Sequence, residues 1–570
     1  MLRATPDRAP VGRYDSYMQL LVLVGAGALG GGIAVLSCLR RPVHFEWFAI
    51  AAQFLLLLPA LVFALRPPVL GERAWPRSGG VPRWLTAACL AGFLTAALVA
   101  GSRVSPGVLI PDESAYGFQA RILASGSLVA QPPPGATDVP TGAPVPLRFV
   151  HHLVSTRGWY AKYPIGWPLV LAAAEPYGLG WVVAPLVALV LLLLVRAIAR
   201  EAFGGTGFAA MWLAMLSPLF LAGAVGRMPH ALAGALTAAA CLFCLRGVRT
   251  RRLSDFALMF APLVLLFHVR PFTGLIMSVV LGCAALIAVR RERGLAWRVA
   301  AVGVAAAVLA GVSVAAYNRE LTGSVWLSPY AWYRNLPVPA EISASPASIA
   351  GGAMLQKLRM SAQSTLAWSF PLAFVLAAWG CWLRRALTAT RILAVVYPAL
   401  VLGHLVQPEW SAWVIGERYW FEGYFAVAIL AAQGMASLDA RWQPSVRLRL
   451  TVAVLLTAWG AGTCVAAVNY LEFVSRHRRI VAEAVERFRD RPCVVFLADT
   501  PPVFYGEHLN LNDGDWRSAP AVVLRDPGAQ DRPLWAGLFG RDEWVVITYD
   551  PGRQRAASVT CRRGAGPSGS

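Results

Sequence analysis

Two adjacent carboxylates, Asp112 and Glu113, are the residues of this sequence best suited to chemistry. They follow directly on an apolar segment at 84–100, within the run 110–116 (IPDESAY). A carboxylate held near a hydroxyl group can accept its proton and so make the oxygen a better nucleophile. Helical spacing places Asp112 on the same face as Tyr116 and turns Glu113 elsewhere, so we expect Asp112 to line a pocket. An ordinary helix start would also favour acids here.

Arg270 and Arg418 lie at the ends of other apolar segments, and Lys162 lies in the polar loop that follows the two acids. These three basic residues could bind a phosphate group. The planar guanidinium of arginine matches phosphate oxygens, and a position at the membrane boundary would leave a lipid tail in the bilayer. For Arg418 the alternative is an interfacial residue paired with Glu417 or Glu422.

Tyr116, Tyr419, His152 and His230 are candidate substrate-binding residues, because their side chains combine a polar atom with a ring. The neighbouring pair His151-His152 could suggest a metal, but adjacent histidines do not easily bind one ion. We therefore predict no metal site and no cofactor, and leave a divalent cation open.

The elements that must position these residues are membrane-spanning helices. The chain has 570 residues, of which 57% are hydrophobic and 14% charged, and its mean hydropathy is +0.55. This composition excludes an ordinary soluble domain. Segments of spanning length predict an all-α polytopic membrane protein with about 13 transmembrane helices, near 17–39, 44–66, 84–100, 180–197, 206–225, 230–246, 254–269, 272–290, 299–317, 366–383, 392–407, 420–438 and 450–470.

The net charge of +21 comes almost wholly from arginine, since Lys162 and Lys357 are the only lysines. Cytoplasmic loops accumulate basic residues, which explains this charge without nucleic-acid binding. The arginines cluster between spans: Arg246, Arg249, Arg251 and Arg252, then Arg290, Arg291, Arg293 and Arg298, then Arg384, Arg385 and Arg391. With these loops inside, the N-terminus is cytoplasmic, and the segments 101–179, 318–365, 408–419 and 471–570 face outward.

Three regions follow from this topology: a two-span extension (1–83), a transmembrane module with a large outer loop (84–470, loop 101–179) and an outward-facing tail (471–570). The tail contains strand-like runs at Cys493–Leu497, Ala521–Leu524 and Trp544–Thr548, which predict a small α/β domain. We predict a disulfide between Cys493 and Cys561 on this oxidising side, and disorder in the last dozen residues.

The motifs resemble those of the GT-C superfamily of membrane glycosyltransferases, such as protein O-mannosyltransferases and lipid A aminoarabinose transferases. The resemblance rests on Asp112-Glu113 at the start of the first large outer loop, the run 160–168 (YAKYPIGWP), Arg270-Pro271, and the run 417–420 (ERYW). It covers roughly residues 84–440. Tyr163 replaces a proline that is usual after the lysine.

The resemblance implies transfer of a sugar from a polyprenyl-phosphate donor to a glycan, lipid or protein acceptor, at the outer face of a bacterial inner membrane. Asp112, with Glu113 beside it, would be the base, Arg418, Lys162 and Arg270 would bind the phosphate, and direct displacement would invert the anomeric centre. Two alternatives stay open: a transporter or flippase of lipid-linked substrates, and a non-catalytic scaffold for envelope assembly.

Overall fold

The computed structural model describes residues 81–138, 143–336, 353–370, 372–406, 417–442, 446–499, 506–562 and 565–569. The predicted spans at 17–39 and 44–66 lie outside these residues. The helices, in chain order, are α1 (Arg83–Val104), α2 (Pro111–Ala124), α3 (Gly166–Ala172), α4 (Gly180–Phe203), α5 (Gly207–Met215), α6 (Pro218–Gly223), α7 (His230–Thr250), α8 (Leu253–Val269), α9 (Pro271–Val289), α10 (Arg293–Thr322), α11 (Pro329–Arg334), α12 (Ala353–Trp368), α13 (Ala373–Leu383), α14 (Thr388–Leu405), α15 (Arg418–Phe421), α16 (Tyr424–Trp442), α17 (Val446–Glu486) and α18 (Arg532–Leu538).

Seven helices within the described residues are long and apolar enough to cross a membrane: α1, α4, α7, α9, α10, α14 and α17. The pair α12 and α13 makes an eighth if the two together form one span. The helical membrane architecture is therefore as predicted, whereas the number of 13 spans is not confirmed.

Two predicted spans are interrupted. The segment 206–225 forms the short helices α5 and α6, because Pro218 begins a new helix and its ring cannot continue the previous one. The segment 366–383 is bent by 93° between α12 and α13, where Leu372 has φ 60°. Both segments are apolar throughout, so their hydropathy gave no indication of the interruptions.

The arginine-rich turns gather at one end of the bundle. Arg251, between α7 and α8, donates to the carbonyl of Ala288 at the end of α9 and lies 3.7 Å from the carboxylate of Glu292. The opposite ends of the same helices carry His230 and Arg270, which both contact Glu422. Basic turns and predicted site residues thus lie at opposite ends of these helices.

The first large loop folds into α2, a hairpin of β1 (His152–Ser155) and β2 (Gly158–Ala161), and α3. The hairpin is antiparallel, with Leu153 opposite Tyr160. These elements bring the run 160–163 beside the first turn of α2.

The C-terminal region forms a five-stranded sheet in the order β4-β3-β5-β6-β7. The strands are β3 (Cys493–Ala498), β4 (Val522–Arg525), β5 (Glu543–Asp550), β6 (Arg555–Arg562) and β7 (Ala565–Gly569). Strand β3 is parallel to β4 and β5, and β6 and β7 are antiparallel additions. The last strand lies in the segment predicted to be disordered.

One face of this sheet packs on the first large loop. Phe496 and Trp544 of the sheet share a hydrophobic core with Phe118 of α2 and with Phe149 and Trp159 of the loop. The other face covers the end of α17, where Val481 and Val485 pack against the alternate residues of β3. Loop and tail therefore share one folded core.

The predicted disulfide between Cys493 and Cys561 is wrong, since both residues are free thiols. Strand β5 lies between their strands, pairing Glu543 with Cys493 and Trp544 with Cys561. Two inter-strand steps of about 4.8 Å exceed the Cα separation that a disulfide can bridge. The two cysteines also pack on opposite faces of the sheet.

Candidate active site

The first turn of α2 holds Asp112 among three polar groups from other parts of the chain. Pro111 occupies the first helical position after extended Ile110, so the two acids lie in the first turn. The hydroxyl of Tyr163 donates to Asp112 Oδ1 at 2.6 Å. His151 Nε2 lies 3.5 Å and Arg418 Nη1 4.0 Å from Asp112 Oδ2. The structure thus brings Asp112 and Arg418 together.

The guanidinium of Arg418 retains unused hydrogen-bonding capacity. Its side chain is only 10% exposed, and its buried Nε and Nη1 atoms have no hydrogen-bond acceptor among the described residues. Buried donors without an acceptor are unfavourable unless a ligand supplies one. An anion placed beside Arg418 would satisfy them.

Arg418 also controls the charge of Asp112. Burial alone would raise the pKa of the Asp112 carboxyl, but the charge of Arg418 and the contacts with His151 and Tyr163 hold this pKa well below its usual range. Asp112 is therefore an ionised carboxylate at neutral pH.

Glu113 points away from this group. Its Oε2 accepts a hydrogen bond from the backbone N–H of Leu109 at 2.8 Å, and its Oε1 accepts one from the backbone N–H of Arg227 at 3.0 Å. The side chain is fully buried, and burial raises its pKa to about 7. These bonds tie α2 to the turn before α7 and leave Glu113 no contact with Arg418.

A second carboxylate, Glu422, lies just after α15 and gathers three donors. His230 Nδ1 is 3.0 Å and Arg270 Nε 3.1 Å from Glu422 Oε1, and the hydroxyl of Thr273 donates to Oε2. Glu422 is completely buried. Arg270 and His230, both predicted from the sequence, are therefore positioned by one acid.

Tyr419 lies between the two arginines. The guanidinium carbon of Arg270 is 4.3 Å from the centre of its ring, and that of Arg418 is 5.5 Å away. The ring of Tyr116 stacks on Tyr163 with centres 4.2 Å apart. Both predicted tyrosines thus belong to the aromatic lining around Asp112 and Arg418.

Lys162 lies within an aromatic cage beside this group. Its ammonium is 4.4 Å from the ring centre of Tyr333, 4.5 Å from that of Tyr330 and 5.4 Å from that of Tyr163. Its backbone N–H donates to the carbonyl of His151 at 3.0 Å. Cation–π contacts hold the ammonium in place, and its charge contributes to the same region as Arg418.

The two adjacent histidines diverge. His151 has φ 69° and points its Nε2 toward Asp112, while its backbone N–H donates to the hydroxyl of Tyr333 at 3.1 Å. His152 packs against Phe118 and Phe149 in the core beneath the sheet. The structure therefore brings His151 to Asp112, whereas the predicted substrate-binding residue His152 does not reach it.

Sequence reasoning missed Tyr163, His151 and Glu422 as members of the site. In the sequence, Tyr163 stands where the motif usually has a proline. In the structure, its hydroxyl donates a hydrogen bond to Asp112. Glu422 lies four residues after Arg418, a spacing that places both on one side of a helical turn. His151 gave no signal that distinguished it from its neighbour.

No cluster of three or more histidine, cysteine, aspartate or glutamate side chains suited to a metal ion occurs in the part of the chain that the structure describes.

No protein-family model and no curated protein matches the sequence. Among solved structures, ArnT from Cupriavidus metallidurans bound to undecaprenyl phosphate is similar, with a TM-score of 0.50 and 15% identity over 86% of this chain and 100% of that chain. The oligosaccharyltransferase of Archaeoglobus fulgidus in its apo form has a TM-score of 0.48 and 12% identity, over 81% and 69%. The arabinofuranosyltransferase AftD from Mycobacteria has a TM-score of 0.41 and 18% identity, over 82% and 35%.

The similarity to ArnT shows the fold. The chain has the fold of GT-C glycosyltransferases, and the resemblance predicted from its motifs is confirmed at that level.

Proposed function

We propose that this protein transfers a sugar from a polyprenyl-phosphate donor to a hydroxyl group of an envelope acceptor, at the outer face of a bacterial inner membrane. One observation carries the proposal: Asp112, an ionised carboxylate, lies 4.0 Å from Arg418, whose buried Nε and Nη1 have no hydrogen-bond acceptor in the described structure. This pair supplies a base and an anion-binding group at one place.

The chemistry divides between these two residues. The acceptor oxygen attacks the anomeric carbon as its proton passes to Asp112, and the bond from that carbon to the phosphate oxygen breaks with its electron pair on the phosphate. Arg418 stabilises the negative charge that develops on the leaving phosphate, and Lys162 adds a second cation nearby. Attack opposite the leaving group inverts the anomeric configuration.

Donor binding would also activate the base. The charge of Arg418 holds the pKa of Asp112 low, which makes the free carboxylate a weak proton acceptor. A phosphate bound to Arg418 partly neutralises that charge and raises the pKa of Asp112. The base therefore gains proton affinity when the donor is in place.

The position of the site supports an outward orientation. The arginine-rich turns occupy the other end of α7, α8 and α9, and such turns face the cytoplasm in bacterial membranes. A donor with its headgroup at Arg418 would keep its polyprenyl tail among the spanning helices.

The partial burial of Asp112 argues against a passive scaffold. Its side chain is 17% exposed and faces a cation, rather than bulk water. A flippase would share the basic site but would need no general base. Detecting sugar transfer by the purified protein therefore distinguishes a glycosyltransferase from a flippase.

The test is a transfer assay on the purified protein with a panel of polyprenyl-phosphate sugars and envelope acceptors. Asp112→Asn should reduce transfer by roughly 10²–10⁴-fold, and Arg418→Ala by roughly 10²-fold or more. Asp138→Asn, an exposed acid of the same loop, is the matched control and should leave transfer unchanged. Undiminished transfer in both site variants would refute the proposed site, and donor translocation without transfer would favour a flippase.

A further inference from the structure

His230 is held through one ring nitrogen and leaves the other without a partner. It is the buried first residue of α7. Its Nδ1 lies 3.0 Å from Glu422 Oε1, whereas its buried Nε2 has no hydrogen-bond partner among the described residues. Most buried polar atoms in folded proteins have a partner, so this nitrogen is a candidate for binding a ligand.

Glu422 determines which nitrogen of His230 carries the proton. The acid is completely buried, its Oε1 lies 3.1 Å from Arg270 Nε, and the hydroxyl of Thr273 donates to its Oε2. With a guanidinium as its counter-ion, Glu422 is a carboxylate, which only accepts hydrogen bonds. The Nδ1 of His230 must therefore donate, and the Nε2 of the neutral ring is an acceptor that its carboxylate partner strengthens.

The imidazole of His230 lies beside the proposed phosphate-binding group. The ring is buried and interacts electrostatically with Arg270 and Arg418, so a further positive charge on it would be unfavourable. Its centre is 6.1 Å from that of the Tyr419 ring, which lies between the two arginines. A neutral acceptor nitrogen thus faces the same enclosed region as the two guanidinium groups.

We propose that His230 is a specificity-determining residue whose Nε2 accepts a hydrogen bond from one hydroxyl group of the transferred sugar. The inference rests on the proposed function. The sugar is joined directly to the phosphate, so a phosphate at Arg418 brings the sugar hydroxyls to this region, while the acceptor hydroxyl has Asp112 as its partner. A site that binds a substrate hydroxyl rejects the analogue without it, because the buried acceptor stays unpaired.

Two substitutions separate the roles of the two ring nitrogens. The amide of asparagine can take the place of Nδ1 and keep the bond to Glu422, but asparagine has no atom at the place of Nε2. The longer glutamine puts its amide oxygen near the place of Nε2. His230→Asn should therefore lose recognition of the sugar hydroxyl, and His230→Gln should keep part of it.

The test measures kcat/KM of the purified full-length protein for the polyprenyl-phosphate sugar that the wild type transfers and for analogues that each lack one hydroxyl group. For the wild type, one analogue should be worse by about 10²-fold or more. His230→Asn should use that analogue and the parent sugar equally within about threefold, and His230→Gln should keep a preference of about tenfold.

His152→Leu is the matched control, because His152 also has a buried Nε2 without a partner in the described structure but packs in the core beneath the sheet. It should keep the wild-type preference. Should His230→Asn fail to fold, the reduced preference of His230→Gln tests the same point.

A wild type that uses all analogues equally would overturn the inference. So would a uniform loss for every analogue in His230→Asn, which indicates a structural role, or an effect confined to acceptors that lack a hydroxyl. Absence of transfer of any sugar by the wild type would instead refute the proposed function.

Discussion

Among single residues, the charge of Asp112 is set by its neighbours. Tyr163, His151 and Arg418 reach it from three different segments of the chain. The sequence predicted Asp112 as a base and Arg418 as a phosphate-binding residue of the same site. It did not predict Tyr163 or distinguish His151 from His152, because those contacts depend on the hairpin geometry and on the positive φ of His151.

The pH dependence of transfer should report the pKa of Asp112. Because Arg418 lowers this pKa more than Tyr163 does, Arg418→Gln should move the acid limb of kcat/KM to higher pH, and Tyr163→Phe should move it less in the same direction. The measurement is the pH profile of kcat/KM for the donor. Unchanged acid limbs in both variants would show that Asp112 is not the base.

Replacing His151 should lower activity, whereas replacing His152 should affect stability more than activity. His151→Asn tolerates the left-handed backbone and should lower kcat/KM about tenfold by loosening Asp112, whereas His152→Leu should keep activity within about threefold. Equal losses in the two variants would contradict the assignment.

His152 should also make the fold sensitive to acid. Burial lowers its pKa to about 3, from an unfolded value near 6.5, so the unfolded chain binds the proton more readily in that range. Stability is therefore lost as the pH falls from about 6.5, and His152→Leu should lose less over the same range. Thermal unfolding at pH 7 and pH 5 measures this difference, and an identical pH dependence in variant and wild type would contradict it.

At the scale of elements, hydropathy predicted the long helices well and the breaks poorly. The predicted segments at 180–197 and 272–290 match α4 and α9 closely, because spanning length and apolar composition suffice to define them. Both breaks have a local signal that hydropathy does not measure, since a proline stands at 218 and another at 371, directly before Leu372. The position of α2 had no local signal, since Glu113 fixes it through backbone groups of Leu109 and Arg227.

Gly226 should be intolerant of a side chain because of that anchor. It has φ 85°, and a Cβ there would clash with Glu113 Oε1. Gly178 has φ 69° with open space around it, so Gly178→Ala bears only the backbone strain of about 1–2 kcal/mol. Gly226→Ala should cost roughly 1–3 kcal/mol more by displacing the Glu113 hydrogen bonds. Equal melting temperatures for the two variants would show that the Glu113 hydrogen bonds do not stabilise the fold.

In the whole molecule, the first large loop and the C-terminal sheet form one unit with a shared hydrophobic core. The sequence indicated an α/β tail and a polar loop but not their contact, because residues about 390 apart give no local pattern. Arg121 joins the two parts: it donates to the carbonyls of Asn510 and Asn512 and to the carboxylate of Glu175.

Arg121→Ala should loosen the C-terminal region from the loop. The change leaves Glu175 with one of its two arginine partners and removes two bonds to the 510–512 segment, at a cost of roughly 3 kcal/mol. Limited proteolysis should then release C-terminal fragments faster than in the wild type. Arg517→Ala, an exposed arginine of the same region, should digest at the wild-type rate. Equal digestion rates of both variants would show that Arg121 does not hold the C-terminal region to the loop.

We propose that a polyprenyl phosphate reacts between Asp112 and Arg418. A cryo-EM structure of the protein with bound undecaprenyl phosphate would test this proposal. We expect phosphate oxygens within hydrogen-bond distance of Arg418, with the Asp112 carboxylate facing the same space. A phosphate bound elsewhere, with Arg418 still paired only to Asp112, would contradict it.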